Sequence, residues 1–218
     1  MVHNLGIPLS SMIHNENRKG DFLQIISVNE KIKTLEDYSY LVRIKALNAY
    51  IMAAQKGSSA RGYNVVAHEI IRFSQKLEIA CHTLIGLCKE MVHKSSIIAK
   101  KDRELKSIQK TIRCSQNREN NTKSEEHLSE IYHRLQMDSQ HFAAENLSLK
   151  NESGQTTQKI LRLCLDGKMM AFQSKVETAY IKGSTQAFLD VSNNFEDSMI
   201  TINGLIGQIN ITISQEKQ

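Results

Sequence analysis

From Phe22 onward, apolar residues recur along the chain in alternating steps of three and four. Ile25, Val28, Ile32, Leu35, Ser39, Val42, Ala46, Ala49 and Ala53 form the first such series. This is the a/d seam of a helix packed lengthwise against other helices. The seam narrows to alanine towards its end, which lets neighbouring helices approach closely. Gly57-Ser58-Ser59-Ala60-Arg61-Gly62 then interrupts it, and glycines flanking small residues predict a tight turn at 57–62. A second seam starts at once with Tyr63, Val66, Ile70, Phe73, Leu77, Ala80, Leu84, Leu87 and Met91. Lys94 breaks it, and Ile98, Lys101, Leu105, Ile108 and Ile112 carry it on. At about 1.5 Å per residue, about fifty residues make a helix of about 75 Å. A heptad sustained that long predicts a coiled-coil bundle rather than a compact globule.

The remaining pattern supplies two more helical arms. Residues 114–125, CSQNRENNTKSE, are polar and read as a loop. The helical period returns with Leu128, Ile131, Leu135 and Phe142 and weakens around Asn151-Glu152-Ser153-Gly154, where a kink or break is expected. It resumes with Leu161, Leu165, Met169, Phe172, Val176 and Ala179 as an expected core seam, and a turn is expected at 183–187. The last seam runs through Phe188, Val191, Phe195, Ser198, Ile202, Leu205 and Ile209. Residues 1–20 are polar, contain Gly6, Pro8 and Gly20, and read as a flexible lead-in. The expected fold is all-α: long antiparallel helical hairpins, 21–113 and 126–218, forming a coiled-coil four-helix bundle. Such a bundle is complete as a monomer, with a homodimer as the alternative.

A shift of 125 residues places the second hairpin on the first. Ala171 falls on Ala46, Ala179 on Ala54, Phe188 on Tyr63 and Val191 on Val66. The second hairpin is therefore either a degenerate copy of the first or an unrelated amphipathic pair, since any two heptads align.

Composition narrows the function classes. The 218 residues include one Pro and no Trp, and 6% are aromatic, which argues against sandwiches and barrels. A net charge of +5 permits an anionic partner without demanding one. The densest basic stretch, Lys100, Lys101, Arg103, Lys106, Lys110 and Arg113, is interrupted by Asp102 and Glu104. It reads as a solvated helix face, with a phosphate-binding surface as the rival, so no nucleic-acid partner is expected. Met1 to Asp21 lacks the pattern of a signal peptide and no window is apolar enough to span a membrane. A cytoplasmic protein without membrane insertion is expected.

Catalytic and metal chemistry find no pattern to stand on. Cys81, Cys88, Cys114 and Cys164 include no CxxC, and Cys81 and Cys88 share one helical face as small apolar residues. Eight histidines, at 3, 14, 68, 82, 93, 127, 133 and 141, form no HExxH or Cys–His spacing. No phosphate-binding glycine loop and no G-x-S-x-G occurs. The expectation is a protein without enzymatic activity, metal or cofactor.

One segment carries a more specific signal. Ala46-Leu47-Asn48-Ala49-Tyr50-Ile51-Met52-Ala53-Ala54-Gln55-Lys56-Gly57 leads into Arg61-Gly62-Tyr63-Asn64-Val65-Val66-Ala67-His68-Glu69. This resembles, without a gap over Leu35 to Leu87, the signalling hairpin tip of bacterial chemoreceptors, the methyl-accepting chemotaxis proteins. The resemblance implies an antiparallel hairpin whose tip meets a chemosensory coupling protein, a histidine kinase or other receptor tips. It places Asn48, Ser58, Arg61, Tyr63, Val65 and Glu69 in a partner-binding tip. It gives Tyr40, Ile44, Met52 and Gln55 to contacts between bundles, and Gly57 and Gly62 to the hairpin turn. The sequence also departs from the family pattern. Met52 stands for its glutamate, Gln55 for its arginine, Ser58 for a second glutamate and Ala60 for a glycine. These changes remove charges that could pair between bundles. A transmembrane pair, a sensor domain and a methylation-type glutamate pair are not expected in this chain. The expected function is a chemosensory signalling adaptor, with a scaffold that kept the fold and lost kinase coupling as the alternative.

Overall fold

A computed structural model describes residues 9–116, 122–181 and 185–214. The described residues are all-α. Helix α1 spans Leu9–Lys56 and leads through a 3-10 turn, Gly57–Ala60, into α2, Arg61–Gln116. Helix α3 spans Thr122–Ala179 and α4 spans Gln186–Ser214. Helix α1 thus starts within the stretch expected as a lead-in: it begins just after Pro8 and continues through Gly20, a single glycine costing a helix interior only about 1 kcal/mol, and residues 1–8 lie outside the described residues. No break occurs at Asn151–Gly154: α3 runs through it, and Ser153 is buried. Of the expected loop 114–125, residues 117–121 lie outside the described residues, as do 182–184 of the second turn.

The chain forms two compact units, one of residues 1–85 with 155–218 and one of Gly86–Gly154. The division runs across α2 and α3 rather than between the two hairpins.

The first unit is an antiparallel four-helix bundle. Helices α1 and α2 meet at Arg43 with Glu78 and at Tyr50 with His68. Helices α3 and α4 meet at Gly167 with Met199 and at Ser174 with Ser192. In both pairs one number rises as the other falls, the mark of antiparallel packing. Lys45 of α1 straps α4 by donating to Asn194 O at 2.9 Å and to Ser198 Oγ at 2.8 Å. Burial lowers the Lys45 pKa, and Asp197 offsets part of that. The two rows read as seams in α1 and α2 are buried here, from Val28 to Ala53 and from Tyr63 to Leu84. Phe73 meets Phe195 edge-on with centroids 5.8 Å apart.

Helix α3 corrects the expected pattern. Its large apolar residues Leu165, Met169, Phe172 and Val176 are exposed. The buried row is Ile160, Cys164, Gly167, Ala171, Ser174 and Thr178. Small residues face inward because α3 approaches its neighbours closely: a Cβ at Gly167 would lie 2.8 Å from the Phe73 ring. Ser174 and Thr178 satisfy their hydroxyls on the backbone, at Ala171 O and Ser174 O, so burying them leaves no donor unpaired.

The second unit is an antiparallel pair, residues 86–116 of α2 against 122–154 of α3. Lys94 donates to Glu145 at 2.8 Å and Lys101 to Asp138 at 2.8 Å. Asn146 donates to Ser95 at 3.1 Å and Ser139 to Asp102 at 3.2 Å. The ring of Phe142 lies between the Lys94 and Lys101 ammonium groups, 5.8 and 5.7 Å from its centroid. The basic stretch expected as a solvated face belongs here: Lys100 reaches Glu104 at 4.0 Å and exposed Arg103 donates to Ala99 O at 3.1 Å.

Candidate functional site

The hairpin end of the first unit is built on alanine. Ala49, Ala53, Ala60 and Ala67 bury their methyl groups around Tyr63, Ile181 and Phe188. Small residues bring the helices together and leave room for two aromatic rings, which meet edge-on with centroids 4.6 Å apart. The chain reverses at Gly57, whose φ of +60° suits glycine, and Ser59 Oγ caps the turn by donating to Lys56 O at 2.9 Å. Gly62 does not turn the chain. It lies in the first turn of α2, where a Cβ would meet the Glu177 carboxylate of α3.

Above this core the tip residues separate into two sets. Asn48, Ser58, Arg61, Val65 and Glu69 are exposed, and Val65 keeps 62% of its surface open. Arg61 makes no ion pair among the described residues, whereas Glu69 accepts from Arg72 at 3.0 Å. Exposed His68 leans on Tyr50 with ring centroids 4.6 Å apart. Tyr63 belongs to the other set and corrects the expectation of a partner contact. It is 1% exposed, because its ring fills the space the alanines leave. Burial pushes its phenol pKa up, and Ser192 beside it pulls it partly back.

The residues expected between bundles divide in the same way. Tyr40 is 57% exposed, Gln55 is exposed and Ile44 is half-buried. Met52 is half-buried and packs on the tip core, so its thioether fills a gap beside the alanines. Leu47 and Ile51, which sequence reasoning did not assign to a site, are exposed beside Tyr40 and continue its face at helical spacing. Leu47 stands three residues after Ile44 and Ile51 four after Leu47, and that spacing was the available signal.

Elsewhere the chemistry is quiet. Among the described residues no group of His, Cys, Asp and Glu could hold a metal ion. Cys81, Cys88 and Cys164 are buried free thiols, and burial pushes their pKa values up to about 12, 11 and 11. They are poor nucleophiles, since the thiolate is the reactive form. No described helix is long and apolar enough to cross a membrane. No protein-family model matches the chain, and no curated protein matches it.

Proposed function

We propose that this chain is a non-enzymatic signalling adaptor whose hairpin tip engages a chemosensory coupling protein, a histidine kinase or receptor tips. The observation that carries the reading is the separation at the tip. An alanine-and-aromatic core fixes the backbone, while Asn48, Ser58, Arg61 and Val65 stand free above it. Arg61 has no ion-pair partner among the described residues, so its charge is available for a carboxylate or a backbone carbonyl. Val65 adds an apolar contact beside that charge. A preformed surface binds without the cost of ordering its own backbone. In this reading the chain acts in the cytoplasm by recruitment or modulation, with no catalytic step and no nucleic acid.

The test is titration calorimetry of the chain against purified chemosensory coupling protein and kinase, beside Arg61→Glu and Val65→Glu. Binding by the intact chain that falls about tenfold or more in either variant is the expected result. A second reading is favoured by Met52, which packs inward, and by uncharged Gln55. It is a helical scaffold that kept the fold and lost kinase coupling. It predicts no binding by the intact chain, or binding that both variants leave unchanged.

A further inference from the structure

The shift of 125 residues relates more than sequence. It carries most buried positions of the four-helix unit onto buried positions, although Val66, Ala80 and Ile85 fall on the more open Val191, Leu205 and Asn210. Leu35, Ser39, Val42, Ala46, Ala49 and Ala53 of α1 fall on Ile160, Cys164, Gly167, Ala171, Ser174 and Thr178 of α3, all buried. In the other pair of helices, Tyr63, Ala67, Ile70, Leu77 and Leu84 fall on Phe188, Ser192, Phe195, Ile202 and Ile209, again all buried. The Tyr63–Phe188 ring pair therefore joins two equivalent positions. Helices α1 and α3 are equivalent and lie diagonally across this bundle, pointing the same way.

The same shift carries one exposed face onto another. Tyr40, Ile44, Leu47 and Ile51 of α1 fall on Leu165, Met169, Phe172 and Val176 of α3. Three of the α3 residues are more open than their α1 equivalents: Leu165, Met169 and Phe172 are each 63% exposed, while Val176 is 41% exposed against 50% for Ile51, and Tyr180 prolongs the stripe at 76%. From Leu165 to Tyr180 the stripe is about 22 Å long. Single exposed apolar residues are ordinary, but an unbroken stripe of this length marks a contact surface.

Charge at the foot of each stripe says what covers it. Three residues before Tyr40 stands Asp37, and three before Leu165 stands Arg162. Both are exposed and neither makes an ion pair among the described residues. Set side by side and pointing the same way, the α1 stripe of one copy and the α3 stripe of another bring Asp37 against Arg162. Leu41 then lies beside Leu161, and the Gln55 amide beside the Tyr180 hydroxyl. The like-charged meeting, Glu36 with Asp166, falls on the solvated flank, where screening makes it weak. Packing α3 against α3, or α1 against α1, in the same parallel register would instead oppose two arginines or two aspartates at the foot.

We infer that the α3 stripe binds the α1 stripe of a second copy of this chain. The contact is heterologous, so it closes into a ring or propagates as an open array. It rests on the proposed function only in treating Tyr40 and Ile44 as a face between bundles, and it requires neither coupling protein nor kinase.

The experiment is sedimentation of the purified full chain over a range of concentrations, with no other protein present. The intact chain is expected to grow beyond 24.7 kDa as concentration rises. Phe172→Glu and Ile51→Glu, each at an exposed position, should both stay monomeric and keep the helical circular dichroism of the intact chain. Mixed together they should form a pair of twice 24.7 kDa, since each retains the face the other lacks. Asp37→Arg should weaken assembly about tenfold, and adding Arg162→Asp to it should restore assembly. A monomeric intact chain, variants that assemble as the intact chain does, or a mixture that stays monomeric overturns the inference. If either Glu variant loses its helicity, the Asp37 and Arg162 exchange decides alone: no loss, or loss without restoration, overturns it. Failure of the tip to bind coupling protein or kinase would leave these results unaffected.

Discussion

The two units use one sequence period to opposite ends. In the four-helix unit the inward-facing row of each helix is enclosed by the others, and Leu35, Leu77, Leu84, Ile160 and Met199 lose all contact with solvent. In the unit of Gly86–Gly154 the same steps of three and four continue, but two helices cannot enclose a seam. From Val92 to Glu152 no described residue is fully buried. Ile98, Leu105, Leu128 and Leu135 are half-buried, and the seam admits Lys94, Lys101, Ser95 and Asn146. A lysine in a four-helix core would have to desolvate its charge, whereas here the ammonium stays near water while its stem covers the Phe142 ring. A heptad sets which face a helix presents; the number of neighbours sets how dry that face becomes.

The largest expected difference between the units comes from deleting an aromatic ring. Phe195→Ala in the four-helix unit should cost roughly 3–5 kcal/mol, because it removes a buried ring and leaves a cavity against Phe73. Phe142→Ala in the two-helix unit should cost about 1 kcal/mol, chiefly its contacts with two lysines. Urea denaturation followed by circular dichroism compares them, and equal losses would break the distinction.

Alkaline pH should act next, and on the four-helix unit. Cys81 and Cys164 ionise at about 12 and 11 when folded, against an ordinary 9.0. Above pH 9.0 the unfolded thiols lose protons that the folded ones keep, so stability falls as pH rises from there towards the folded values. The loss is on the order of a few kcal/mol. A Cys81→Ala, Cys164→Ala chain should show a flatter decline in its urea midpoint across that window, and an equally steep decline would remove the buried thiols as its cause.

The smallest effect should appear in the two-helix unit at low pH and high salt. The hydrogen bond from Lys101 lowers the Asp138 pKa, and that from Lys94 lowers the Glu145 pKa. Lowered carboxylate pKa values stabilise the fold above the ordinary values of 3.8 and 4.5, and that stabilisation is lost as pH falls through the folded ones. Amide exchange at 92–112 and 128–149, each rate taken relative to that of the unfolded chain at the same pH and salt, should therefore quicken on acidification below about pH 4 and on adding salt, more than at 63–84. Uniform quickening across both units would contradict it.

Much of this fold was legible in the sequence. The seams of α1 and α2 and the turn at Gly57 follow from periodicity and one glycine. So does the half-wet seam past Met91, announced by Lys94 and Lys101. Helix α3 was not legible from periodicity, which finds the face richest in large apolar residues, and that face is the exposed one. The buried face, with Gly167, Ala171, Ser174 and Thr178, is small and polar because the helices there pack closely. Its signal lay in the 125-residue shift, which sets Ala171 on Ala46. At the tip, the family-like string located the exposed Asn48, Arg61 and Val65 but could not separate them from Tyr63. A motif records which residues occur together, whereas burial is decided by what packs on the far side, here Phe188 and Ile181 of the second hairpin.

The most direct test of the central claim is amide exchange of the full chain with and without purified chemosensory coupling protein and kinase. The account predicts new protection at 58–69, around Ser58, Arg61, Val65 and Glu69, with the amides of 92–149 unchanged. Protection confined to 92–149, or none anywhere at saturating partner, would contradict a tip that works by binding.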